Sequence, residues 1–158
     1  LTGLRVGVAW AGSKSLRDDA RRSIPWRAFE PLNRVAGVTI VSLQKQESVG
    51  RVDDLPDWPT EFIDRCSDFL DTAALVSSLD LVITVDTAVA HLAGALGMPV
   101  WLLNRAGSEW RWGLAGERTE WYPTMRIFRQ AEAQEWAPVL ESVARELQHL
   151  AMPDLQHD

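Results

Sequence analysis

Asp86, Thr87 and His91 are the polar residues of this chain whose types and spacing best suit chemistry. They follow the apolar run Leu81-Val82-Ile83-Thr84-Val85 and open a stretch of small residues, Ala88-Val89-Ala90-His91-Leu92-Ala93-Gly94-Ala95. A Gly97-Met98-Pro99 turn and a second apolar run, Val100-Trp101-Leu102-Leu103, come next. The order reads as strand, polar corner, helix, turn, strand. In open α/β sheets such a corner lies at the carboxyl edge, where ligands bind. The first turn of a helix there directs unpaired N–H groups toward an anion. Thr87 adds a hydroxyl, and His91, four residues on, shares its helix face. Taken alone, Asp86 reads as a helix cap and His91 as a hydrogen-bonded structural residue. The three together suggest an anion site.

A second cluster follows the strand-like stretch Leu4-Arg5-Val6-Gly7-Val8-Ala9-Trp10. Gly7 and Gly12 have the gap of a P-loop, but Gly7 lies inside the strand and the lysine is displaced to Lys14. No G-x-G-x-x-G is present either. The turn is then either an ordinary tight one, or one whose N–H groups near Gly12 approach an anion, glycine leaving room for it. Arg22 stands just before the next expected helix, where side chain and helix dipole would hold an anion together. Neighbouring Arg21 is its alternative. Gln44 and Lys45 end the second strand at the same edge. Lys45 is there either a phosphate contact or a plain solvated cation.

No cysteine pair, D-x-D pair or histidine cluster has metal-ligand spacing. No Ser-His-Asp spacing is credible, and no residue stands out as a general base. Neither a metal nor a cofactor is expected.

These corners need a scaffold, and the chain supplies alternating strands and helices. Strands are expected at 4–10, 38–43, 80–85, 99–103 and, more weakly, 125–129, with Phe69-Leu70 as a short buried strand. Helices are expected from Ser23, as N-cap, to Val35; over 73–79, capped by Asp71 or Thr72; over 87–96; and over 135–150, with a stripe of Trp136, Val139, Leu140, Val143, Leu147 and Leu150. Strands separated by helices imply parallel pairing with right-handed crossovers. The expected fold is α/β, a Rossmann-like parallel sheet of five to six strands with helices on both faces. Residues 1–150 are expected to form one Rossmann-like domain, and 151–158 a frayed tail.

Composition bounds the rest. With 158 residues, 46% hydrophobic and 24% charged, the chain has the makeup of a single water-soluble globular domain. Its net charge of -6 argues against nucleic acid as the main partner. One cysteine, Cys66, permits no internal disulfide. No apolar run reaches the length of a membrane span, and no signal peptide is visible, so a cytoplasmic location is expected. Leu1-Thr2-Gly3 reads as a cut inside a longer protein, so an upstream region is expected. Eight tryptophans are unusually many, and four of them fall between Trp101 and Trp121. They are core filler, domain contacts or ligand platforms. At period two, Trp110 and Trp112 are expected to share a face.

Four blocks carry a resemblance: Val6 to Gly12, Arg22-Ser23-Ile24-Pro25, Val41-Ser42-Leu43-Gln44-Lys45, and Asp86 to Val100. Together they resemble the C-terminal half of GT-B glycosyltransferases. The nearest groups are the heptosyltransferase-like family and the bacterial glycosyltransferase domains that follow tetratricopeptide repeats. Trp110-Arg111-Trp112 and Trp121-Tyr122-Pro123 resemble the latter group. The resemblance implies a domain that grips a nucleotide-diphosphate sugar for metal-independent, inverting transfer. Thr87 and neighbouring N–H groups would meet the diphosphate, and Asp86 would lie near the sugar. His91 would support the turn or reach a phosphate. Arg22 falls where heptosyltransferases carry a lysine, and would stabilise charge on the departing diphosphate. Ala88 stands where they carry a glycine, which bears on the identity of the sugar. Arg22 and Asp86 are thus the expected catalytic residues, with Gly12, Lys14, Gln44, Lys45, Thr87, Ala88 and His91 on the donor. The base that activates the acceptor (protein, lipid or glycan) would come from an absent N-terminal half, without which the domain is expected to be inactive.

Two rival readings belong to other classes. One is a non-catalytic α/β module that docks a repeat domain or other partner through its Trp-rich loop. The other is a flavodoxin-like phosphate-binding domain.

Overall fold

The computed structural model describes residues 3–12, 19–45, 56–107 and 110–152. Its centre is a five-stranded sheet: β1 (Leu4–Ala9), β2 (Val38–Ser42), β3 (Leu81–Val85), β4 (Val100–Asn104) and β5 (Met125–Arg129). All neighbours pair in parallel, in the order β2-β1-β3-β4-β5. The sheet is therefore of the expected α/β type, with five strands. β3 is buried at all five positions, as an unbroken apolar run in a central parallel strand should be.

Each face of the sheet carries its own core. On one side Val6, Val8, Ile83, Val85, Leu103 and Phe128 meet Phe29, Leu32, Leu140 and Leu147. The last two belong to the long helix α6 (Ala137–Ala151), whose stripe Val139, Leu140, Val143 and Leu147 is buried as its periodicity predicts, while Leu150, expected on the same stripe, is 47% exposed in the last turn. On the other side Val82, Val100, Leu102 and Ile127 meet Val76 of α4 (Phe69–Ser77) and Ala90 and Ala93 of α5 (Ala88–Ala95). Two short helices, α1 (Asp19–Arg22) and α3 (Glu61–Asp64), lie in the connections after β1 and β2.

Several expectations need correction. The helix predicted to start at Ser23 is a 3-10 turn, Trp26–Phe29, followed by the single-turn α2 (Glu30–Asn33). Pro31 explains the break, because it cannot donate inside a continuous helix but suits a first turn. Pro25, not Ser23, stands at the N-cap of the 3-10 turn; the Ser23 hydroxyl accepts from Gly12 N at 3.2 Å. Phe69 and Leu70 are not a buried strand. They open α4 and are 66% and 79% exposed. The cap is Asp68, which accepts from Leu70 N and Asp71 N, rather than Asp71 or Thr72. Thr87 and not Asp86 occupies the N-cap position of α5, without a side-chain cap hydrogen bond, and Gly97, at φ 71°, ends the helix.

The β4–β5 crossover is irregular, with one 3-10 turn at Trp110–Trp112. That turn separates the two tryptophans expected to share a face. Trp112 is buried on the α5 side of the sheet, whereas Trp110 is 74% exposed and meets Trp121 edge-on at 5.7 Å.

Candidate functional site

Strand order reverses between β1 and β3, so the chain leaves their carboxyl ends in opposite directions. That opens a crevice, the usual ligand position in such sheets. Ala9 pairs with Thr84, which sets the turn after β1 beside the corner after β3. The Trp10-Ala11-Gly12 turn is pinned from two sides. Gln44 Oε1 accepts from Ala11 N at 3.0 Å, and Ser23 Oγ accepts from Gly12 N. Ile24 N donates to Trp10 O at 2.8 Å, folding the segment after α1 back over the crevice. The Arg22 guanidinium thereby reaches β3, and its Nη1 donates to the backbone carbonyl of Asp86 at 3.1 Å.

The Asp86 carboxylate is held differently. The indole Nε1 of Trp112 donates to Oδ2 at 3.0 Å, and His91 Nε2 lies 3.7 Å from Oδ1. His91 is fixed in turn. Its Nδ1 is 3.0 Å from the Tyr122 hydroxyl, and its ring stacks on Trp112 with centroids 5.4 Å apart. Tyr122 and His91 thus share one hydrogen bond, whose direction follows from the tautomer of the ring. The Thr84 hydroxyl donates to Val85 O at 2.9 Å, which leaves Thr87 as donor in the 3.2 Å Thr84–Thr87 contact. Thr87, at the N-cap, makes no side-chain hydrogen bond to the first turn of α5, and Ala88 there is exposed.

The structure thus brings together Gly12, Arg22, Asp86, Thr87, Ala88 and His91, with Gln44 as a brace behind the turn. Lys45 leaves this group, since its Nζ donates to Cys66 O at 2.7 Å. Lys14 lies outside the described residues. Among those described, no group of three or more His, Cys, Asp and Glu is arranged to hold a metal ion.

Sequence reasoning missed Trp112, Tyr122 and Arg129. Arg129, at the end of β5, donates to the carbonyls of Trp112, Gly113 and Gly116, clamping the turn that carries Trp112. Burial lowers its pKa, yet a guanidinium stays charged in proteins. Gly94 gives Tyr122 its seat, because a Cβ there would sit 2.5 Å from the ring. The one sequence signal was a pair of aromatics with polar tips, Trp112 and Tyr122, downstream of a polar corner.

The model of glycosyltransferase family 9 (heptosyltransferase) matches residues 42–144, about two thirds of the chain. The chain belongs to glycosyltransferase family 9. This membership supports a role in glycosyl transfer. It also decides what strand order leaves open, since flavodoxin-type sheets share the same order. The match spans β3, α5 and the Trp-rich crossover, while Arg22 and the turn after β1 precede it. Protein FlbA of Caulobacter vibrioides is 35% identical over 155 residues, covering 94% of this chain. The chain spans about a quarter (26%) of the length of that relative. No helix among the described residues is long and apolar enough to cross a membrane.

Proposed function

We propose that this family 9 domain is the donor-binding half of a GT-B glycosyltransferase, holding a nucleotide-diphosphate sugar across the β1–β3 crevice. The observation that carries this is the Arg22 guanidinium lying on the Asp86 carbonyl where strand order reverses. A cation and a helix N-terminus then converge on one point, the arrangement that suits a diphosphate. Thr87, Ala88 and the turn at Gly12 contact the phosphates. Gln44, from the end of β2, braces that turn through Ala11 N.

In the reaction an acceptor hydroxyl attacks the anomeric carbon from the face opposite the diphosphate, so configuration inverts. The bond from that carbon to the phosphate oxygen breaks, and its electron pair leaves with the nucleoside diphosphate. The hydroxyl proton passes to a base in an N-terminal half. Arg22 stabilises the charge growing on the leaving diphosphate. Asp86 faces the sugar, whose ring gains positive character as in other glycosyl transfers. His91 turns its Nε2 toward the same corner. A repeat domain upstream would favour a protein acceptor, and a second Rossmann-like half alone a lipid or glycan. The site lies on the cytoplasmic side in this reading.

Calorimetry on the full-length protein with ADP, UDP and GDP tests the reading. One nucleotide should bind, and Arg22→Ala should weaken it at least tenfold. No heat with any of the three would reject it.

One observation favours the rival docking module. Trp110, Leu114 and Trp121 are 74%, 94% and 56% exposed in the crossover. If docking were the whole function, Trp110→Ala with Trp121→Ala would abolish partner binding while nucleotides gave no signal.

A further inference from the structure

We propose that Trp112 is a positioning residue for glycosyl transfer, aiming the Asp86 carboxylate at the donor sugar without neutralising it. This rests on the donor-site reading of the Asp86 corner. Among the described residues no lysine or arginine pairs with that carboxylate; Arg22 takes the backbone carbonyl instead. The carboxylate is fixed by an indole N–H, a neutral group that only donates. A guanidinium in that place would cancel much of the charge that the sugar needs in the transition state. An indole fixes direction and leaves the charge in force.

The device is built to be rigid. Trp112 is 2% exposed. Its backbone carbonyl is held by Arg129, which also takes the carbonyls of Gly113 and Gly116. The other face of the assembly is His91, stacked on the indole and hydrogen-bonded to Tyr122. Rotation of the Asp86 side chain would break the indole contact and widen the His91 contact together. Interactions preorganised in this way act on the reacting state more than on ground-state binding.

The test uses the full-length protein in two arms. In the first, the Trp112 indole N–H resonance is identified by its loss in Trp112→Phe and followed in Asp86→Asn. It should move in Asp86→Asn while the other indole signals hold. An unmoved resonance overturns the proposal, whatever the donor proves to be. In the second, release of nucleoside diphosphate from UDP-glucose, GDP-mannose and ADP-glucose is measured with wild type, Trp112→Phe and Asp86→Ala. Trp112→Phe should slow release at least tenfold and leave affinity for the matching diphosphate within threefold. Loss of turnover in Asp86→Ala alone overturns the role of Trp112 and keeps the donor reading. Unchanged turnover in both variants overturns both. If Trp112→Phe fails to fold, the Trp112 indole resonance is assigned by triple-resonance spectra of the wild type, and its shift in Asp86→Asn decides.

Discussion

β3 is flanked by two aspartates six residues apart, and the protein treats them in opposite ways. Asp80 precedes the strand at the amino edge of the sheet. Arg5 grips it with Nε, Nη2 and its own backbone N–H, at 3.0, 2.8 and 2.8 Å. Those bonds hold the Asp80 carboxyl below the usual carboxylate range and tie β1 to β3. Asp86 follows the strand at the carboxyl edge, where a neutral indole and an imidazole hold its carboxylate. One charge is spent on joining two strands. The other is held in place, among the described residues, by no lysine or arginine. An aspartate at a strand end is therefore not informative by type; its partner's charge separates a structural role from a chemical one.

Removing the charges at the carboxyl edge should have the largest effect. Arg22→Ala and Asp86→Asn, each in the full-length protein, should lower transfer about 100-fold or more, with far-UV circular dichroism unchanged. Activity near wild type in both would erase the contrast with Asp80.

Gly94→Ala comes next, because it strikes the same edge through packing. The added methyl drives into Tyr122, and overpacking of this kind costs about 1–3 kcal/mol. Thermal unfolding should show a lower Tm, and transfer should fall as His91 loses its partner. A Tm equal to wild type would mean that Tyr122 yields freely and does not brace the site. Tyr122→Phe isolates the hydroxyl. It removes one hydrogen bond, which corresponds to about a three- to tenfold fall in transfer with little change in Tm.

The smallest effect belongs to the amino edge. Asp80→Asn should leave transfer untouched and lower Tm by about a degree or two, as partly exposed ion pairs contribute little. The sign with pH follows from the depressed carboxyl. Its contribution is present above the unfolded value, about 4, and is lost as pH falls through the folded value. Wild type and Asp80→Asn should thus converge in Tm below that range and differ at neutral pH. A constant difference from pH 7 to pH 3 would contradict the ion-pair account.

Much of this arrangement was legible in the chain. The strand–corner–helix–turn–strand unit from Leu81 to Leu103 could be read because its signals are local: an unbroken apolar run, small residues, then Gly97 and Pro99. Phe69 and Leu70 misled because an apolar pair has no period, and Asp68 had already committed the backbone to a helix. Trp26, Phe29, Leu32 and Val35 keep helical spacing across Pro31, so periodicity alone does not show the break there. The Asp86–Trp112 contact joins residues 26 apart, and nothing local in either residue announces it. Capping was the reasonable local guess for Asp86, and a long-range donor displaced it.

A crystal structure of the full-length protein with its nucleoside diphosphate bound is the most direct measurement. The account predicts phosphate oxygens within hydrogen-bond distance of Arg22, Thr87 and the first N–H groups of α5, with the Trp112–Asp86 bond intact beside them. A diphosphate bound elsewhere, such as the groove between β5 and the start of α6, with the β1–β3 crevice vacant, would contradict it.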